Sequence, residues 1–581
     1  MNIPHALTLL IFSPLLGIAI SALVPRKYEE GIRPVALFST LVSAALAYYL
    51  WAGLGKMSLF SFAENVPWIP QFGINYHIGV DGLSVIMIAL TAILTTLAVL
   101  ISWTEIKTRR KEFYCLILLC QLGLFGLFAA RDLFLFYIFW EVMLIPMYFL
   151  IGIWGSGNRI HVALKFLLYT VTGSVVMLVA VIYLYLASGN LFDMANLGQK
   201  LLPEAMQIGL FLAFAFAFAI KMPLVPFHTW LPDAHTEAPT AGSVLLAGLF
   251  LKAGAYGFAR IALPYFPHAV AYFREAIFII AVVGVIYGAL VSIAQKDLKR
   301  LIAYSSVSHM GFVMLGLIAL NHEGVMGAFL QMFNHGVTTG ALFMLFGILY
   351  ARSHTREIAE LGGVAKSMRI FAALFILSGL SSLGLPGLNN FIGEILILFG
   401  AARTHLALAA TSAVCIVFAA IYILWAVQRV FFGKEKAAYK DIKIRELAAV
   451  VPLVVIMIWL GVYPKTILGK VGASATNMIT LAKRAVVEEP RESLNIIVPE
   501  IRKRMPNFIM PVVPENEMSK PMIDEITGGS PVGEGSTTDD LNSQVNTEQA
   551  LPQLDEPASS PGENNNTFYP SETPAEQTGN E

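Results

Sequence analysis

Residues 221–257 read KMPLVPFHTWLPDAHTEAPTAGSVLLAGLFLKAGAYG, and two lysines in this stretch decide what kind of chain carries it. Lys221 ends the apolar run FAFAFAI, and Lys252 sits in the middle of LLAGLFLKAGAYGF. Between them Pro223 and Pro226 each remove a backbone donor, so a helix reaching Lys221 cannot continue regularly. A charge at the centre of a bilayer costs several kcal/mol, about 3 on insertion scales. Helix-end snorkelling explains one such lysine near an interface, but not two this far inside their spans.

The surrounding chain has the same character. Its 581 residues are 56% hydrophobic and 13% charged, with a mean hydropathy of +0.68. Soluble domains carry about 25% charge, roughly twice as much. Apolar runs long enough to cross a bilayer recur about fourteen times, which predicts an all-α polytopic membrane protein. The first run lacks a basic start and a small-residue cleavage site and is read as a retained helix. Cys115, Cys120 and Cys415 lie in apolar spans without metal or disulfide spacing. No dinucleotide turn, Walker loop or iron–sulfur cysteine cluster is evident, so no cofactor or metal is assigned to the chain itself.

Loop charge predicts orientation. Odd-numbered loops hold about twenty Lys and Arg, including Arg109, Arg110, Lys299 and Arg356, against about six on even-numbered loops. Odd loops are therefore cytoplasmic and both termini lie on the outer face. The zero net charge conceals a split: from Val486 onward there are about eighteen acidic and five basic residues. This Pro-, Ser- and Asn-rich end cannot bury enough apolar surface to offset its ordering entropy and is predicted to be disordered.

Further ionisable residues stand inside spans: Glu141 in LFYIFWEVMLIPMYFL and Glu394 in LPGLNNFIGEILILFG, with His228, His309 and His335 in or beside others. Each alone has a plain reading, a locking ion pair for a glutamate or a packed polar side chain for a histidine. Two acids and two amines spread over four spans instead form a candidate relay. A second break, around Gly384, Pro386 and Gly387, precedes Glu394. Irregular backbone at membrane depth is tolerated where protein buries it or a wet cavity borders it. The breaks fall in spans seven and twelve. That separation predicts two inverted five-helix repeats, a pattern of secondary-transport pathways.

The ion follows from the side chains. A sodium site gathers carboxylate, carbonyl and hydroxyl oxygens, whereas amines and imidazoles carry protons. Low dielectric disfavours a charged lysine and a carboxylate close by favours it. A Glu141–Lys221 pair that opened and closed would thus drive a proton towards Lys252.

With these residues in place, the stretch 221–257, DLKRLIAYSSVSHMGFV at 297–313 and FNHGVTTGALFMLFG at 333–347 resemble the proton-translocating antiporter-like subunits of respiratory complex I. The likeness covers residues 1–484. It implies an N-terminal three-helix segment (1–112), a first five-helix repeat (113–263), a second inverted repeat (275–432), and a last transmembrane helix with the end of the core (446–484). The acidic tail, 485–581, departs from the family pattern. The resemblance also implies Glu141 and Lys221 in an input half-channel, Lys252 as central relay, Glu394 near the outer exit, and His309 and His335 joining the halves. Glu394 resembles the M-type branch, whose twelfth helix carries Glu where the L and N types carry Lys. The region after residue 470 is too short and Pro-interrupted for the long lateral helix of the L type. A multi-pass bacterial-type inner-membrane location, sister membrane-arm partners, and NADH, FMN, iron–sulfur clusters and quinone in partner subunits are implied as well, with no nucleic acid.

Three other readings stay open at this point. One is a cation/proton antiporter of the Mrp type or a membrane-bound hydrogenase subunit. Another is a haem-bearing quinol oxidase using His309 and His335. The third is a structural spacer, which would be a costly use of four buried charges.

Overall fold

The computed structural model describes residues 3–55, 60–199 and 202–504. The sites below lie in the unit Met1–Ile501; the second unit, Arg502–Glu581, contributes only the end of the final helix to the described residues. Most of the predicted acidic tail therefore falls outside the described residues.

Among the described residues thirteen helices are long and apolar enough to span a membrane, from Ala6–Leu23 to Ile444–Val462. Two shorter apolar helices, Arg369–Ser382 and Asn389–Ala402, follow one another across a break. At 1.5 Å per residue each reaches only about 21 Å, short of a hydrocarbon core of about 30 Å. Together they take the place of the twelfth of the fourteen expected spans. Over an 18-residue stretch of each helix, 94% of residues are buried in Leu298–Ile318 and His322–Ser353, which border the relay, against 28% in Leu406–Phe431. A helix apolar on every face that still exposes most of it is solvated by lipid rather than water.

Both expected breaks are present. Glu204–Lys221 stops at Lys221, and a short helix, Trp230–Glu237, resumes after the prolines. Pro223 and Pro226 cannot donate, and the freed backbone groups find other partners. The Leu224 amide reaches back to the Ala219 carbonyl at 2.9 Å, and the Trp230 indole N–H donates to the Ile220 carbonyl at 2.9 Å. The second break turns at Gly384, whose φ of +78° lies in the region that favours glycine.

Two elements were not foreseen. The second loop carries an antiparallel hairpin, Ser61–Ile69 with Ile74–Val80, so the fold is not wholly helical. After the last span, Lys465–Arg504 forms one 40-residue helix, although it contains Pro490 and Pro499. Helical structure thus continues well past residue 485, where the composition turns acidic. This helix is pinned to the core by Lys470, which donates to the carbonyls of Trp51 (3.0 Å) and Leu54 (2.6 Å), and by Ser474, which donates to Asp81 (2.7 Å).

Candidate proton-relay site

Lys252 lies on the span Thr240–Tyr265, which is interrupted by two π turns, Leu246–Phe250 and Phe258–Ala262. Such turns break the regular hydrogen-bond ladder and recur at functional sites. The first of them holds the Ala247 carbonyl, which accepts from Lys252 Nζ. The same ammonium meets His335 Nδ1 at 2.6 Å, and both side chains are fully buried. His335 projects from His322–Ser353, and its ring centroid lies 5.4 Å from that of His309 on Leu298–Ile318. His309 Nδ1 then meets Glu394 Oε1 at 3.0 Å. Gln331, one turn before His335, donates to the same carboxylate oxygen at 3.1 Å.

Glu394 sits in the helix that follows the second break, and the break itself is fastened by a reciprocal amide pair. Asn334 donates to the Asn389 carbonyl (2.7 Å) and Asn389 to the Asn334 carbonyl (3.2 Å). Ser381 donates to Asn389 Oδ1 (2.6 Å) and contacts Thr338 Oγ1 (2.9 Å). His335 and Glu394 are consequently carried by elements bolted together beside them. Pro386 occupies the turn and supplies no donor to this clamp.

The input side is built differently. Lys221 Nζ is buried and meets no hydrogen-bond partner among the described residues; the rings of Phe250, Trp140 and Phe166 lie 5.0, 5.2 and 5.9 Å from it. The cation is held by aromatic faces rather than by oxygens. Glu141 stands close enough for its charge to act on Lys221, yet its buried Oε1 is also unpartnered. The expected Glu141–Lys221 contact is thus open in this structure. Gly254 lets the Lys252 helix press against the break, because a Cβ there would lie 2.6 Å from the Met222 amide nitrogen. His228 stays apart from the relay, edge-on to Tyr287 at 4.8 Å.

Two buried groups escaped the sequence reading. His235 is fully buried, its ring stacked 4.7 Å from Phe343, with neither ring nitrogen partnered among the described residues. The charges of Lys299 and Lys252 both act on it. Lys299 is buried too and donates to the Ala238 carbonyl at 2.6 Å. Both sit in polar sequence, DAHTEAPT and QKDLKR, next to span ends, where ionisable residues raise no alarm. A haem between His309 and His335 does not fit, because ring centroids 5.4 Å apart stand too close to hold one iron and its macrocycle between them. Among the described residues no three His, Cys, Asp or Glu side chains gather as a metal site.

The family described as NADH:quinone oxidoreductase/Mrp antiporter, TM matches residues 130–420. Subunit M of the NADH-quinone oxidoreductase of Rhodobacter capsulatus is 42% identical over 498 residues, covering 82% of this chain and 96% of its own length. The chain belongs to the subunit M family of NADH–quinone oxidoreductases. A chain of respiratory complex I from Thermus thermophilus with bound NADH superposes on this chain with a TM-score of 0.75 at 34% identity, over 82% of this chain and 98% of that one. A chain of the Mrp complex from Dietzia shares the fold, with a TM-score of 0.75 at 21% identity over 83% and 100% of the two chains. Subunit M membership favours the proton-translocating complex I reading over the more distant Mrp antiporter.

Proposed function

We propose that protons are taken up through Glu141 and Lys221, passed to Lys252, and carried by His335 and His309 to Glu394. The chain is a proton-translocating membrane-arm subunit of NADH–quinone oxidoreductase, one part of a multi-subunit respiratory complex. The observation that carries the residue-level reading is the order Lys252–His335–His309–Glu394, four titratable groups in succession on four helices, the last of which follows the second break. When Lys252 donates to His335 Nδ1, the imidazole proton sits on Nε2, the side left unpartnered. A proton accepted on Nδ1 can therefore leave from Nε2. The step to His309 needs one bridging water or a ring rotation, since hydrogen bonds form at about 2.7–3.2 Å and the ring centroids are 5.4 Å apart.

Lys221 and Glu141 supply the switch. Closing their gap favours the charged lysine, and opening it releases a proton towards Lys252. His228 lies beside the first break as a supporting group. Each charge moved across the membrane costs about 2.3 kcal/mol per 100 mV, so the drive must come from elsewhere. We assign it to NADH oxidation and quinone reduction in partner subunits that hold FMN and iron–sulfur clusters, with sister antiporter-like subunits beside this one. The breaks at Lys221 and Gly384 support repeats at 113–263 and 275–432. The loop charges support an inner-membrane orientation with both termini on the outer, periplasmic face.

Glu141→Gln in the assembled complex, in sealed membrane vesicles, tests the reading, because it removes charge and keeps size. NADH-driven quinone reduction and proton pumping should fall together. Unchanged pumping in an intact complex would reduce Glu141 to a packing residue and remove the switch.

A further inference from the structure

A second buried polar site lies away from the relay. Beneath the final helix a cavity of about 300 Å³ is bordered by Arg131, Arg260, Tyr265, Ser474 and Asn477, with Met194 among its apolar walls. Arg131 is only 8% exposed. Its main chain is fixed on both sides, the amide donating to the His77 carbonyl and the carbonyl accepting from the Met194 amide, each at 2.9 Å. Among the described residues its guanidinium meets no hydrogen-bond acceptor or carboxylate. It packs under the Phe60 ring, 3.2 Å from the centroid. An aromatic face covers the flat side of a guanidinium and leaves its in-plane N–H fork free.

Arg260 is partly engaged. Its Nη2 donates to Asp81 Oδ1 (2.6 Å) and Ser84 Oγ (3.3 Å), and its Nε to the Tyr256 hydroxyl (3.3 Å). Asp81 is used up in turn, since it also accepts from the Ser84 amide (2.9 Å) and Ser474 (2.7 Å). Arg260 thus takes the saturated Asp81 carboxylate, which leaves the buried Arg131 charge with no carboxylate in contact among the described residues. Such a charge is strongly unfavourable unless an anion pairs with it. Arginine forks match phosphate oxygens two at a time, and the Asn477 amide on the cavity wall offers a further donor.

We propose that this cavity binds a phosphate-class anion, a membrane phospholipid phosphodiester or free inorganic phosphate, held by Arg131 with Arg260 as second cation. The assignment does not depend on the relay, because none of these residues belongs to it.

The test uses the intact complex, stripped of loosely held lipid and followed by its thermal unfolding midpoint. Dihexanoyl phosphatidylglycerol and inorganic phosphate are titrated separately into complexes carrying the native chain, Arg131→Gln or Arg131→Lys. The native complex should show a saturable upward shift. Arg131→Gln should weaken it at least about tenfold, and Arg131→Lys, which keeps charge and loses the fork, should fall between. Saturation by the lipid alone identifies a headgroup site, and saturation by phosphate alone identifies a free anion. Equal shifts in native and Arg131→Gln complexes, or no saturable shift with either probe, would overturn the proposal. Arg131→Lys keeps the test decisive should Arg131→Gln fail to assemble.

Discussion

Lys252 and His335, 83 positions apart in the chain, meet Nζ to Nδ1 at 2.6 Å in a fully buried contact between two helices. A strong donor faces a group that can accept on one nitrogen and release from the other. The first expectations follow from that pairing.

His335→Gln retains a hydrogen-bond acceptor for Lys252 but cannot accept a proton on one atom and release it from another. Proton pumping by the assembled complex should drop at least about tenfold, with little change in thermal midpoint. Native pumping rates in vesicles would mean that the path bypasses His335.

Lys252→Arg keeps the charge and removes the ability to lose it, because a guanidinium stays protonated in proteins. NADH-coupled pumping should again fall at least about tenfold while the complex still assembles. Persistent pumping would make Lys252 a fixed electrostatic post rather than a carrier.

Gly384→Ala acts on geometry alone. Its φ is +78°, and the new Cβ would lie 2.8 Å from Glu394 Oε2. The variant should lose about 1–3 kcal/mol of local stability and push the carboxylate off His309. Pumping should fall with it, whereas a mere stability loss would leave pumping per assembled complex unchanged.

Trp230→Phe removes the indole donor and strands the Ile220 carbonyl at the break next to Lys221. A buried acceptor left unsatisfied costs about 1–3 kcal/mol. A lowered thermal midpoint with faster hydrogen exchange at residues 219–224 is expected, and unchanged exchange there would count against this account of the break.

Much of this site is legible in the sequence for one physical reason. Charges are so costly in hydrocarbon that Glu141, Lys221, Lys252 and Glu394 stand out singly. Pro223, Pro226 and Gly384 mark both breaks, because a missing donor or a positive φ is a local property. What links Lys252 to His335, or Asn334 to Asn389, is a tertiary relationship that no spacing encodes. The same limit hid the open state of Glu141 and Lys221. His235 was missed because it follows a break in polar surroundings, and the helix Lys465–Arg504 because Pro490 and Pro499 argue locally against it.

Outside the membrane, the loop before Glu204–Lys221 carries a contact whose pH response can be worked out. Burial pushes the Asp193 carboxyl up, but the His77 hydrogen bond (2.5 Å) and the amides of Asn196 and Ala195 outweigh it and hold the carboxyl below its usual range. A carboxyl lowered by folding contributes stability above its unfolded value of about 4 and loses it as pH falls through the folded value. The difference in thermal midpoint between native and Asp193→Asn complexes should therefore be full at pH 6 and shrink below about pH 4. A difference that grows in acid would reverse this assignment.

The clamp of Asn334, Asn389, Ser381 and Thr338 has a consequence for where traffic is controlled. It makes His335 and Glu394 fellow passengers on one stiff block, so on the proposed relay the downstream groups keep a fixed spacing and the His335–His309 step needs only a water or a ring turn. The slack lies upstream, where Lys221 rests among aromatic rings with the Phe250 ring on one side of it. A pump whose exit groups are held in a rigid frame must place its valve at the intake. Protons returning under the membrane potential would then be stopped at Phe250 and Lys221, not at Glu394.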